Sequence, residues 1–214
     1  MIKRKVQQNN WLRHLFLVSL LGATCLLIGC MSSGPATKHY SLFAAEPSAE
    51  NMHALANKKI SLGIGPIILP EYLQNPAIVS LTPSQQVRVS GYHAWAGDLN
   101  EALLRVLAAD VSTHLQLDGV WAFPWDNRVR PDYQVRIVVE HFSGIRGQDV
   151  VLTAKWTLLN KVGDELLLTG REQLSRTTRS GGVDDYVGAM NVLINEAAYS
   201  IAEKLALRLS EVSE

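Results

Sequence analysis

The sequence predicts a mixed sheet in an α/β sandwich with two long helices, and three patterns carry that expectation. Apolar residues recur at intervals of three and four from Leu99 to Leu115, and again from Val187 to Leu209. Runs of strand length and apolar or alternating character flank both stretches. These runs are joined by hairpin loops in some places and across a helix in another, which calls for antiparallel and parallel pairs together.

The chain opens with a different signal. Lys3, Arg4, Lys5 and Arg13 precede an uncharged, Leu-rich stretch from Leu15 to Ile28, the layout of a bacterial secretory signal over residues 1–29. The stretch is shorter than the roughly 20 apolar residues that a membrane-spanning helix needs. It ends in Leu27-Ile28-Gly29-Cys30, so the residue after the small Gly29 is a thiol. Cys30 is the expected lipid-attachment site. Cys25 would leave with the signal and Cys30 would be consumed by lipid, so the mature chain is expected to form no disulfide and no cysteine metal site.

Residues 30–57 read as a lipidated N-terminus and tether, with Ser, Gly and Pro over 32–35, a short Tyr40-Ser41-Leu42 island, and little hydrophobic periodicity. Residues 58–214 then form one domain. Ile60 to Leu69 reads as a strand in which Pro66 marks an edge or a bulge. Pro70 to Pro76 is a proline-bounded turn, and Ala77 to Leu81 with Gln86 to Val89 form a hairpin around Thr82-Pro83-Ser84. Asp98 and Glu101 have capping-box spacing at the start of the first long helix. Val120 to Phe123 is a short strand closed by Pro124. In the longer strand from Tyr133 to Phe142, alternation marks one buried face. Val150 to Leu159 and Glu165 to Leu174 pair as a hairpin, and Asp184 to Leu209 is a long amphipathic helix packed on the sheet.

Removing residues 1–29 takes away four basic residues and no acidic one, leaving 16 against 20, formally −4. A mildly acidic chain without a basic stripe has no electrostatic reason to bind nucleic acid. The five mature histidines, His39, His53, His93, His114 and His141, show no metal-ligand spacing. Gly63-Ile64-Gly65 runs into Pro66 instead of a helix, so it is no dinucleotide loop, and no nucleophile elbow or phosphate-binding loop occurs. Asp184-Asp185 sits where carboxylates favour a helix start. No catalytic, cofactor-binding or metal-binding residue is expected.

Trp95, Trp121, Trp125 and Trp156 remain after the signal, and aromatic residues of this size mostly belong to cores. Trp95 stands just ahead of a helix, Trp125 in a loop between Pro124 and Asp126, and Tyr72 in the proline-bounded turn. These three are the candidate partner-interface residues.

The order of motifs carries a further signal: the Cys30 segment, Tyr40-Ser41-Leu42, Ile64-Gly65-Pro66 running into Leu69-Pro70-Glu71-Tyr72-Leu73, then Ala94-Trp95-Ala96-Gly97-Asp98-Leu99, Leu152-Thr153-Ala154-Lys155-Trp156 and an alanine-rich final helix. This resembles the ABC-type transport auxiliary lipoproteins of the PqiC (YmbA) type across nearly the whole mature chain. It departs from them at the Trp95 segment, where many relatives have a basic residue before the tryptophan and this chain has Ala94.

The resemblance implies a non-enzymatic lipoprotein on the periplasmic face of the outer membrane. Such a subunit works with an inner-membrane protein carrying MCE domains to move lipids and preserve envelope integrity, and forms a ring-like homo-oligomer. The implied fold is a three-layer α/β/α sandwich like that of anticodon-binding domains. Met31, where an Asp would signal inner-membrane retention, agrees with the outer membrane. The competing readings are a periplasmic carrier with an apolar cavity of several hundred Å³ for acyl chains, and an envelope hydrolase, for which no constellation is present.

Overall fold

The computed structural model describes residues 11, 13–17, 34–47, 55, 58–126 and 128–212. The chain forms two compact units, Met1–Ala36 and Thr37–Glu214. Of the first, residues 13–17 are helical, while Cys25, Cys30 and the expected cleavage point lie outside the described residues.

The second unit contains, in chain order, β1 (Lys38–Tyr40), β2 (Leu62–Ile68), a single 3-10 turn (Glu71–Gln74), β3 (Ala77–Leu81), β4 (Val87–Trp95), α1 (Leu99–Leu115), β5 (Val120–Ala122), β6 (Tyr133–Gly144), β7 (Asp149–Asn160), β8 (Leu166–Thr177) and α2 (Val183–Val212). Five strands make the main sheet in the order β5-β2-β6-β7-β8, and three make a small one in the order β1-β4-β3. In the main sheet β2 runs parallel to both β5 and β6, and β7 is antiparallel to β6 and β8. The α/β class with a mixed sheet is therefore as expected.

The apolar stripes did what their period requires. Val187, Met190, Ile194, Ala197, Ile201, Leu205 and Leu209 of α2 are all buried, as are Leu103, Val106, Leu107 and Val111 of α1. They close over the inward positions of the sheet, Val135, Ile137 and Val139 of β6 with Leu152, Ala154, Trp156 and Leu158 of β7. Asp98 caps α1 by accepting a hydrogen bond from the Glu101 N–H (3.0 Å), and the helix stops at Gln116, which takes a left-handed conformation.

The third layer is a correction. Both helices pack on the same side of the main sheet, α1 against β2 and β5, α2 against β7 and β8, and against each other. On the opposite side Arg136, Val138 and Glu140 of β6 and Lys155 of β7 are exposed. Among the described residues that face carries no helix, so the helices and main sheet make two layers. The alternation of polar residues in β6 is the physical sign of a face left to solvent.

Pro66 marks a bulge and not an edge. β2 is flanked on both sides, and its register with β6 shifts between Ile64 and Ile67, where Gly65 has φ +115°. A second correction concerns the segment read as tether. β1 pairs in parallel with the end of β4, and Leu42 is fully buried. Four bonds strap residues 40–45 to the helices: Tyr40 Oη donates to Asp184 (2.9 Å), Arg105 Nη2 to the Leu42 carbonyl (3.1 Å), Phe43 N to Asn191 (2.7 Å) and Ala45 N to Asp110 (2.8 Å). The ordered domain therefore begins near residue 37, well ahead of Lys58.

Candidate docking surface

The three interface candidates meet different fates. Trp95 ends β4, pairs with Tyr40 and donates its backbone N–H to the Pro76 carbonyl (2.8 Å). Its side chain is 7% exposed and belongs to the core, so it is withdrawn as an interface residue. The reason is β1, which arrives from a distant part of the chain and converts what reads as a pre-helix loop into the covered end of a strand. Tyr72 is half-buried, its hydroxyl facing Ser143 Oγ (3.3 Å) and accepting from Phe142 N (3.4 Å). It fastens the proline-bounded turn to β6.

Trp125 is half-buried as well, but it lies beside two exposed aromatic side chains. β5 is only three residues long, with Val120 and Ala122 turned to the core. Strand alternation therefore sends Trp121 to the outer face, where it is 43% exposed. Phe123 follows at 40% exposed and meets the Trp125 ring edge-on, with centroids 5.2 Å apart at 84°. The loop holding Trp125 is braced by Arg128, whose Nε and Nη2 grip the two oxygens of Asp126 at 3.0 Å each and hold that carboxyl below its usual range. Asp132 closes the loop base by accepting from Ser61 Oγ (2.9 Å).

Trp125 lies on the sheet because position 63 is glycine. A Cβ added there would stand 2.6 Å from Trp125 Cζ3 and 2.8 Å from Pro131 Cγ. Gly63→Ala is expected to destabilise the domain by about 1–3 kcal/mol through overpacking and to shift tryptophan emission to the red as the ring lifts. Thermal unfolding followed by fluorescence checks this, and a variant with wild-type stability and emission would contradict it.

Past the bulge of β2 the outer face is apolar again. Ile68 is 59% exposed and is paired with Val138, itself 42% exposed. Beyond them lies a charged group in which Glu140 accepts from Lys155 (2.6 Å) and pairs with Arg171 (2.9 Å); these cations keep its carboxyl ionised below the ordinary range. The uncovered face thus grades from aromatic at the β5 edge to charged toward β8. Trp121, Phe123, Ile68 and Val138 are not singled out by the sequence, since their outward direction follows from register and from a bulge.

Clefts elsewhere have mixed walls that include charged side chains. One of about 310 Å³ beside Trp95 is lined by Asp98, Glu101 and Arg105, and one of about 480 Å³ near the start of α2 by Arg176, Arg179, Asp184 and Asp185. Among the described residues no cluster of three or more His, Cys, Asp or Glu stands where it could hold a metal.

Comparison with known proteins bears on the same region of the chain. The intermembrane transport lipoprotein PqiC of Escherichia coli is 26% identical over 183 residues, covering 86% of this chain and 94% of that protein, and PqiC of Shigella flexneri matches equally. A crystal structure from Xanthomonas campestris superposes with a TM-score of 0.67 at 13% identity, covering 82% of this chain and 99% of the other. Another, of an uncharacterized protein, gives 0.64 at 20% identity, covering 80% and 99%. At those identities the two structures attest the fold. The family model of the ABC-type transport auxiliary lipoprotein component matches residues 40–202, from the end of β1 deep into α2, and the chain belongs to that family.

Proposed function

We propose that this protein is a non-enzymatic, lipid-anchored docking subunit of an MCE-type intermembrane lipid transport system. Cys30 carries the lipid that holds it on the periplasmic face of the outer membrane. The domain, working as a ring-like homo-oligomer, receives the conduit formed by an inner-membrane-anchored MCE-domain protein. The observation that carries this reading is the uncovered sheet face with Trp121, Phe123 and Trp125 at its edge. Exposed and half-exposed aromatic side chains grouped in this way mark partner surfaces, and tryptophans are frequent energetic centres in them. The near-complete coverage of PqiC, an intermembrane transport lipoprotein, supports the same conclusion. A carrier holding acyl chains would need a predominantly apolar cavity, whereas the clefts beside Trp95 and at the start of α2 mix apolar side chains with carboxylates and guanidinium groups.

The test is photo-crosslinking in intact envelopes with a reactive residue at position 121 or 125, and at buried position 95 as control. Capture of an MCE-domain protein from 121 and 125 but not from 95 is expected. Trp121→Ala, a change at an exposed site, should lower co-purification of that partner about 30-fold, the effect of losing about 2 kcal/mol at a hot spot. Equal capture from all three positions, or none from 121 and 125, would overturn the assignment.

A further inference from the structure

We propose that the cleft between the β3–β4 hairpin and the β6–β7 turn binds a phosphate group, a role separate from the docking surface and independent of it. The cleft measures about 190 Å³, and its walls include Ile78, Ser80, Arg88, Ser90, Arg146 and Val183. Two arginines share it with no carboxylate in the lining. Neither forms an ion pair among the described residues, whereas Glu140, Asp132 and Glu172 on or beside the sheet are each paired with a cation.

The state of Arg146 points to the missing chemistry. Its Nε is buried and no protein acceptor reaches it. Buried donors are almost always matched, and a guanidinium is the group whose planar fork fits two oxygens of one phosphate. The position of Arg146 is fixed by the turn itself, where Ile145 bridges to Leu81 of β3 and Gly147 at φ +84° donates its N–H to Thr178 Oγ1 (2.9 Å). Arg88 comes from β4 on the other wall, across from Ser80 in register. The two cations thus arrive from separate elements, each set by strand pairing.

Hydroxyl groups complete the lining. Ser80 is buried at the wall, and Ser90 Oγ lies 3.0 Å from His93 Nδ1, which orients it. The nearby acids are turned elsewhere, Asp184 toward Tyr40 and Asp185 toward Ser180. The volume admits a phosphate and the atoms next to it, and falls below the roughly 300–1,000 Å³ of pockets that enclose whole drug-sized ligands. A phospholipid headgroup and free inorganic phosphate present the same oxygens to this site.

Titration of the full chain in a non-ionic detergent with inorganic phosphate and with dihexanoyl phosphatidylglycerol, read by calorimetry and by the ¹⁵N resonance of Arg146 Nε, tests the site. Both probes are expected to bind and to move that resonance as the Arg146 guanidinium takes up the added oxygens. Arg146→Gln and Arg88→Gln should each weaken binding at least tenfold, and Arg130→Gln, outside the cleft, should not. Arg88 is exposed, so its variant keeps the answer available if the Arg146 variant fails to fold. Tenfold tighter binding of the lipid probe would assign a headgroup, and equal or weaker binding would assign free phosphate. Absence of binding by wild type, or binding untouched by both arginine variants, would overturn the proposal.

Discussion

Glu172→Ala is expected to destabilise the domain by about 2–4 kcal/mol, the cost of leaving a buried indole N–H unmatched and losing two further hydrogen bonds, and to lower the melting temperature by about 10 °C. Glu172 is 4% exposed on the helix-facing side of β8. Its Oε1 accepts from Trp156 Nε1 (2.9 Å) and Lys204 Nζ (2.6 Å), and its Oε2 from Ser200 Oγ (2.8 Å). One carboxylate therefore ties β7, β8 and α2 together.

The network exists because Trp156 is seated over a glycine. A Cβ at Gly170 would fall 2.2 Å from the indole, so only glycine lets the ring lie flat across β8 and aim its N–H at Glu172. Truncating Glu172 leaves the buried Trp156 N–H without its acceptor, which costs about 1–3 kcal/mol, and takes the carboxylate from the half-buried Ser200 and Lys204. Glu172→Gln, which keeps one carbonyl acceptor but no charge for Lys204, should lose less. Chemical denaturation of the three proteins measures this. An alanine variant within about 0.5 kcal/mol of wild type would show that the network is not structural.

The second large effect is a pH dependence rooted in Asp110. Burial in the helix pair raises its carboxyl to about 6, against the opposing influence of the Ala45 N–H bond and of His114. Between about pH 4 and pH 6 the folded chain therefore holds a proton that the unfolded chain has released. Stability from this group is present in full below pH 4, falls as pH rises through 6 and is flat beyond. The span corresponds to about 3 kcal/mol.

Asp110→Asn removes the titration, so the stability of wild type minus that of the variant should fall by about 3 kcal/mol from pH 4 to pH 7. Denaturation at a series of pH values checks it. A difference that stays level would mean that donors from Ala45, and from the Asn195 amide with its nitrogen turned to Asp110 Oδ2 (3.0 Å), keep the carboxylate ionised in spite of its burial.

What the sequence made legible follows from range. The stripe of α2 and the cap of α1 depend on residues three or four apart, and both are found where the spacing puts them. The β7–β8 hairpin is equally local, its loop closed by Asn160 Oδ1 accepting from the Gly163 N–H (2.8 Å). β4 is longer than its hydrophobic pattern suggests, because Arg88, Ser90, Gly91 and His93 interrupt it and the strand is held instead by β1 and β3. The strap of residues 40–45 depends on Arg105, Asp110, Asp184 and Asn191, partners that no local pattern reveals.

The proposed docking surface was half visible. Trp125 stands out in its loop, whereas three residues of β5 are too few for alternation to show which way Trp121 points. The two-layer arrangement left a local trace, since Arg136 and Glu140 in β6, Lys155 in β7 and Arg171 in β8 mark the outward positions. Expectation of a third layer came from resemblance and not from those charges.

The strap also resets a length. With residues 30–57 as free chain, the leash from Cys30 to the domain would extend nearly 100 Å when taut, at about 3.6 Å per residue. Because β1 begins at Lys38, only residues 31–37 remain between a lipid on Cys30 and the first hydrogen-bonded strand. Seven residues reach about 25 Å at most. If Cys30 carries the proposed lipid, a leash of that length would confine the domain to a thin shell next to the bilayer, where encounter between neighbouring copies would be a search in two dimensions.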